Sequence, residues 1–508
     1  MLRVLLINSN RRNDLFAAPP IGLCYVASAA ESAGHQVYLL DLCFEQRIFK
    51  AIEDAVTSFS PDVVGVSIRN IDNANMLYPV SYLPEIVEIV GFLRRICDAP
   101  IVLGGAGASL APRSVLGLLE ADYIIESDGE RAFVELLDSL ANKGPTEGIP
   151  GVGTVKDGLF RIEPRSFQDF PSSRPDVGRW INAQSYANAG GHYNIQAKRG
   201  CPHRCIYCTY SLLEGNSLRL RSPEDVVDEI EEALFKFKPT KLEFVDSVFN
   251  DPPDHCSEIL EEIARRPWKA SFSAMGVNPR HVNPSFLELM RKAGFDFFWI
   301  TPESACETMI RNYRKAFDLD HVERAAEAIE KARFSVVWEF LIGGPGETNE
   351  TFQESLDFTV RRLNADNAIT RSVANYFLGV RVYPETALWK IAHEEGFIHK
   401  ESNPLDQLWY ISEALDLDLA LHQMIEAAKI CPGVISGLDE GHLNWSPVLA
   451  FMGRFLRRSG LHWKILHSLN RYFRKAALRL AFKPDVVISS IRNRLAVQGY
   501  NGVHVADL

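Results

Sequence analysis

Twice along the chain, short β-branched runs alternate with segments of helical spacing, and that alternation leaves few folds open. In residues 1 to about 130 the runs RVLLIN, QVYLLD, DVVGVS, PIVLGG and ADYIIES each end at polar or glycine positions. Between them lie IGLCYVASAAESAG, IFKAIEDAVTSF and YLPEIVEIVGFLRRIC, which have helical periodicity. This pattern predicts a parallel, doubly wound α/β sheet with its ligand at the carboxyl ends of the strands. The turn Gly104-Gly105-Ala106-Gly107-Ala108 follows the fourth run. Glycine there either lets a ligand approach the backbone or simply makes a tight turn. From Tyr193 to about Leu388 the alternation returns in YNIQAK, KLEFVD, KASFSAMG, DFFWIT, FSVVWEFLIG and VANYFLGV, separated by helices such as PEDVVDEIEEALFKF. Six such units predict a partial (βα)6 barrel whose site lies at the strand C-termini.

These patterns divide the 508 residues into a first domain over 1–143, a connector over 144–190, a barrel over 191–395 and a helical region over 396–508. The connector contains a small hairpin, GPTEGIPGVGTVKDGLFRIEP, and an extended link, FPSSRPD. A net charge of −11 argues against nucleic acid as a partner. The opening MLRVLLIN is too short for a signal peptide, and no apolar stretch reaches the roughly 18 residues that span a bilayer. Cysteines at 24, 43, 97, 256, 306 and 431 are scattered, as expected of a reducing cytoplasmic compartment. The segment 441–484 has no acidic residue and nine lysines or arginines interleaved with apolar side chains. Such a basic amphipathic segment either packs on the acidic remainder of the protein or makes peripheral contact with an anionic inner-membrane face.

GCPHRCIYC, residues 200–208, follows the first barrel strand and holds three of the nine cysteines. Pro202, His203 and Arg204 make it a polar loop, which fits poorly with buried structural cysteines. A structural zinc site needs four closed ligands, and no second cysteine pair follows Cys205 and Cys208 at zinc-ribbon spacing. An iron–sulfur cluster on three cysteines leaves one iron open to an outside ligand. Both metal readings stand on the spacing, with the open cluster favoured.

This loop and the strand ends after it resemble the radical S-adenosylmethionine superfamily over most of residues 190–390. The resemblance implies that Cys201, Cys205 and Cys208 ligate a [4Fe–4S] cluster and that Tyr207 lies beside the bound nucleoside. Asp246-Ser247 in LEFVDSVFN would contact the methionine amine, and Glu303-Ser304 in ITPESACETM the ribose hydroxyls. Ile342 and Gly344, in the run ending GGPGE, would lie beside the adenine. Thr301-Pro302 depart from the family's usual glycine and hydrophobic residue. By the same resemblance, an external reductant such as flavodoxin or ferredoxin feeds the cluster, whose electron cleaves S-adenosylmethionine to a 5′-deoxyadenosyl radical.

The first domain resembles the cobalamin-binding domain that precedes many such barrels, through PPIGLCYVASAAESAGHQVYLLD, PIVLGGAGASLAP and ADYIIESDGERAF. Ser67, Gly104 and Gly105 would then flank the nucleotide tail of cobalamin. The loop NSNRRNDLFAAPPIG lacks the DxHxxG motif, so the usual imidazole would not hold cobalt. The expected activity is modification of an unactivated carbon, foremost C-methylation. A radical cyclase, ring contraction or carbon–carbon coupling in a lipid, tetrapyrrole or natural product is the alternative, and a cobalamin or redox sensor is the reading from another class. The substrate is expected to be a small or lipid-like molecule. Trp299, Trp338, Tyr376 and Phe377 are candidates for an apolar pocket, although core packing would account for most of them.

Overall fold

The computed structural model describes residues 1–436 except 13–16, 77–78, 168–173, 190, 240, 364–371, 400–401 and 432. The basic segment 441–484, with its expected membrane contact, lies outside the described residues. Strands β1 (Arg3–Asn8), β2 (Gln36–Asp41), β3 (Val63–Ser67), β4 (Ile101–Gly104) and β5 (Tyr123–Ile125) coincide with the five β-branched runs. They pair in parallel in the order β2-β1-β3-β4-β5. The hairpin β6 (Val152–Lys156) and β7 (Leu159–Ile162) continues the same sheet antiparallel from β5. Burial on both faces explains the β-branched composition. Leu5, Ile7, Val64 and Val66 pack with Ile52 and Ile89 of the helices Ile48–Phe59 and Leu83–Ile96. Val4 and Leu6 face Leu23 and Phe133 of the helices Ile21–Ser32 and Glu130–Ala141. The strand order reverses between β1 and β3, which places the ligand crevice of such a sheet beside Asn8, Ser9 and Ser67.

The second sheet starts at β8 (Tyr193–Ile195). A short antiparallel pair, β9 (Lys198–Arg199) and β10 (Arg219–Leu220), brackets the cysteine loop. Strands β11 (Leu242–Phe244), β12 (Phe272–Val277), β13 (Phe295–Glu303), β14 (Ser335–Ile342) and β15 (Val373–Leu378) follow in parallel. A second antiparallel pair, β16 (Val380–Arg381) and β17 (Trp409–Tyr410), follows β15. The expected six strands are present, and β18 (Val434–Ser436) adds a seventh beside β15. Trp338 and Tyr376 pack outward with Phe358 and Phe352 of the helix Asn349–Leu363, so they belong to the core. By strand alternation Trp299 and Phe377 occupy the inner face. There Trp299 meets Phe297 edge to face at 4.4 Å.

The carboxyl ends of the two sheets face each other. Asp72, beyond β3, accepts two hydrogen bonds from Arg381, just beyond β15, at 3.1 and 2.8 Å. Arg381 places its remaining donors on the carbonyls of Val382, Leu408 and Asp406. Asp128 and Glu130, beyond β5, pair with Arg199 beyond β8, and Asp128 also pairs with Arg219. Arg165 joins Glu126 to Glu385, and Tyr186 donates to Asp41 at 2.8 Å. Among the described residues no helix is long and apolar enough to cross a membrane.

The Arg381 and Asp72 side chains are 5% and 1% exposed. Removing one partner of such a buried pair leaves a charge without compensation and costs about 3–5 kcal/mol. Asp72→Ala should therefore lower the thermal midpoint markedly. The double variant Asp72→Leu/Arg381→Met should recover most of the loss in a thermal melt.

Candidate active site at the cysteine loop

Gly200 opens the loop with φ +87, and a side chain there would strike the Ser217 carbonyl oxygen, so only glycine fits. Its N–H donates to the Glu214 carboxylate at 3.1 Å, and its carbonyl accepts from the Ser247 hydroxyl at 2.9 Å. Cys201 N–H donates to the Gly215 carbonyl, and Cys208 N–H to that of Cys205. Ile206 is buried among Tyr313, Val380 and Leu388, and its backbone bonds Tyr313 and Leu388. The loop is thus nailed to the barrel at its centre by an apolar side chain, while Pro202 and Arg204 are exposed as expected. His203 is held at 2.9 Å from Asp251.

All three thiols are free of disulfides. Burial pushes Cys201 up to about 11 and Cys208 up to about 12, so ligation to a metal would displace protons. Among the described residues no three His, Cys, Asp or Glu side chains converge on one ion position.

Four of the predicted contacts gather around the loop. Asp246 is fully buried, and its Oδ1 accepts from the N–H groups of Ala197 and Lys198 at 2.7 and 3.1 Å. Its Oδ2 has no partner. Burial raises this carboxyl to about 6 against the pull of Lys198 and the two N–H donors. Ser247 secures Gly200, as described. Tyr207 donates to Glu303 Oε1 at 2.6 Å. Glu303 stands at φ +60 after an irregular register at the end of β13, beside the departing Thr301-Pro302. Left-handed backbone at a non-glycine residue is strained and must be held by its surroundings. Both Glu303 oxygens have partners, because Lys315 Nζ donates to Oε2 at 2.8 Å.

Other predicted residues serve differently. Ser304 is turned away, its hydroxyl 3.0 Å from that of Ser355 and accepting from Cys306 N–H, so it braces a helix. Ile342 lies in the apolar core at the end of β14, where its carbonyl accepts from Gly379 N–H. A side chain at Gly344 would enter the Tyr313 ring. Glu347 curls back, so that one oxygen accepts from Gly343 and Gly344 N–H at 2.6 and 3.1 Å while the other has no partner. In the first domain Ser67 pairs in register with Gly104, and its carbonyl accepts from Ser9. A side chain at Gly104 would meet nothing within 4 Å, which leaves room for a ligand. Gly105 has φ +96, and a side chain there would press on the Ile68 carbonyl, so its glycine is needed for the turn itself.

Sequence patterns did not disclose Lys315, which sits in an ordinary charged run, RNYRKAF. Arg199 and Arg381 were missed for the same reason. A glycine-rich, carboxylate-bearing strand end is a visible signal, whereas a lone basic residue is not.

The sequence profile of the radical SAM superfamily matches residues 195–359, and that of the B12 binding domain matches residues 11–137. This is a cobalamin-binding-domain radical S-adenosylmethionine enzyme. The enzyme is 25% identical over 382 residues to an uncharacterized methyltransferase of Pyrococcus horikoshii, covering 74% of this chain and 78% of that one. It is 25% identical over 456 residues to tryptophan 2-C-methyltransferase of Streptomyces laurentii, covering 77% and 74%. Its fold resembles the radical S-adenosylmethionine methyltransferase TsrM from Kitasatospora setae, solved with cobalamin and a [4Fe-4S] cluster, at a TM-score of 0.78 and 21% identity over 94% of this chain and 99% of that one.

Glu347 gives a pH prediction. Burial raises it to about 8 in the folded enzyme, against 4.5 ordinarily. Between those two values only the unfolded chain releases the proton, so the contribution of this group to stability falls by about 1.4 kcal/mol per pH unit as pH rises. Glu347→Gln removes that dependence. Thermal melts should show the variant gaining on the wild type between pH 5.5 and pH 8, and parallel curves would contradict the burial of this carboxyl.

Proposed function

We propose that the enzyme transfers a methyl group from S-adenosylmethionine to an unactivated carbon of a small molecule. One observation carries this reading: the ligand-binding ends of the two sheets open on one seam, joined by Arg381 to Asp72 and by Arg199 to Asp128 and Glu130. A cofactor at Ser67 and Gly104 would therefore stand across from the cysteine loop, not on a distant face. When bound, the cluster supplies the electron that cleaves S-adenosylmethionine, and cobalamin supplies a methyl carrier.

The residues present fit these groups. Cys201, Cys205 and Cys208 would hold three irons from a loop fixed at Gly200 and Ile206. The unpartnered Asp246 Oδ2 suits the ammonium of the methionine moiety, which would favour the charged form of this carboxyl. Glu303, held in place by Tyr207 and Lys315, retains lone pairs for ribose hydroxyls. Ile342 and Gly344 would shape the backbone edge beside the adenine, and Ser247 maintains the loop. The open space at Gly104 suits close approach of the cobalamin tail, with Gly105 shaping the turn. Residues 1–143, 144–190, 191–395 and 396–508 would act as cofactor domain, connector, barrel and closing region.

Anaerobically reconstituted enzyme should hold about four irons per chain. Cys201→Ala, Cys205→Ala or Cys208→Ala should remove most of the iron, while Cys256→Ala should not. Reduced, cobalamin-loaded enzyme given S-adenosylmethionine labelled in its methyl group should form S-adenosylhomocysteine and place the label in the corrinoid fraction. Formation of 5′-deoxyadenosine with no S-adenosylhomocysteine would favour a cyclase or coupling enzyme.

A further inference from the structure

Lys315 is a buried cation that the cofactor motifs do not include. It follows the helix Glu307–Asn312, where Arg314 at φ +55 turns the chain and Lys315 N–H donates to the Ile310 carbonyl. Its side chain is 8% exposed. The ammonium donates to Glu303 Oε2 at 2.8 Å and to the Tyr207 hydroxyl at 3.1 Å, and it stands 5.7 Å from the centre of the Tyr207 ring. Tyr207 immediately precedes Cys208, so the charge reaches the loop that would hold the cluster.

Burying a lysine is costly unless charge of opposite sign surrounds it. Burial works against this ammonium, and the Glu303 carboxylate 2.8 Å away favours it. The cation therefore touches one carboxylate and the hydroxyl of the residue that lies between Cys205 and Cys208. A mere structural tie to Glu303 would not require its second hydrogen bond, to Tyr207 in the cysteine loop.

We infer that Lys315 is a charge-balancing and positioning residue for the cluster, fixing Glu303 and Tyr207 and raising the cluster's reduction potential. The inference rests on the reading that the three cysteines hold a [4Fe–4S] cluster. Reduction adds one electron and exchanges no atoms: [4Fe–4S]2+ becomes [4Fe–4S]+, with titanium(III) citrate as donor in the test. A fixed positive charge nearby favours the form carrying the extra electron.

The experiment is a redox titration of reconstituted enzyme without S-adenosylmethionine, followed by the paramagnetic resonance signal of the reduced cluster. Iron is counted in parallel. Lys315→Met removes the cation, so at a pH high enough to keep Glu303 ionised its midpoint should fall. At a potential fixed near the wild-type midpoint, the ratio of reduced to oxidised cluster should drop by on the order of tenfold, about 59 mV for one electron. Glu303→Gln leaves the cation without its neighbour and should move the midpoint the opposite way. Lys315→Arg should stay near the wild type and guards against a folding failure in the methionine variant. Opposite shifts at four irons per chain support the inference. Unchanged midpoints, or shifts of the same sign in Lys315→Met and Glu303→Gln, overturn it while leaving the cluster intact. Wild-type enzyme without a four-iron cluster overturns this inference together with the function on which it rests.

Discussion

The guanidinium of Arg381 and the carboxylate of Asp72 hold the molecule in its working arrangement. Each sheet could in principle bury its own core, because each has helices to cover its strands. One apolar cluster runs through both sheets, and charged groups withdrawn from water add directional contacts at the seam. Arg381 uses every donor it has, two on Asp72 and three on the carbonyls of Val382, Leu408 and Asp406. Such a pair contributes little net stability compared with apolar packing, yet it is sensitive to geometry. Arg199, set between Asp128 and Glu130, repeats this arrangement at the other end of the seam.

The cysteine loop shows the same division between packing and charge. Ile206 fixes its middle and glycine at 200 lets it leave the strand, while Ser247 and Glu214 hold its entry. Around this scaffold lie carboxyls that burial keeps from ionising freely: Asp246 near 6, Glu214 near 7 and Glu347 near 8. Each is held by backbone N–H groups, which orient a carboxyl without carrying a full charge. Glu303 differs because an ammonium lies against it. Buried acids that incoming cations or hydroxyls can complete are what a cofactor site needs before its cofactor arrives.

Much of the fold was legible because buried parallel strands must be β-branched and apolar on both faces, and the five runs of the first domain and six of the second are so written. The cysteine spacing and the acidic strand ends were legible because cluster and nucleoside chemistry restrict residue type and spacing together. Ser304 shows the limit of such reasoning: its neighbour Glu303 faces the loop, but one residue farther the hydroxyl turns to Ser355. The seam was not legible. Asp72 and Arg381 are separated by 309 positions, and each looks like an ordinary surface charge until the two sheets are placed together. Lys315 was hidden likewise, since only the approach of Tyr207 and Glu303 makes its position special. The edge strand β18 is three residues long, too short for its periodicity to be seen.

The central claim is that the cobalamin end of the first sheet and the cluster end of the barrel open on a shared seam. Paramagnetic relaxation tests it most directly, in enzyme loaded with both cob(II)alamin and a reduced cluster. Cobalt relaxation is compared before and after the cluster is reduced. A shared seam predicts that the reduced cluster accelerates relaxation of the cobalt signal and broadens it by dipolar coupling. A cobalt signal indifferent to the oxidation state of the cluster would contradict the account, because two centres facing each other across this seam could not be magnetically independent.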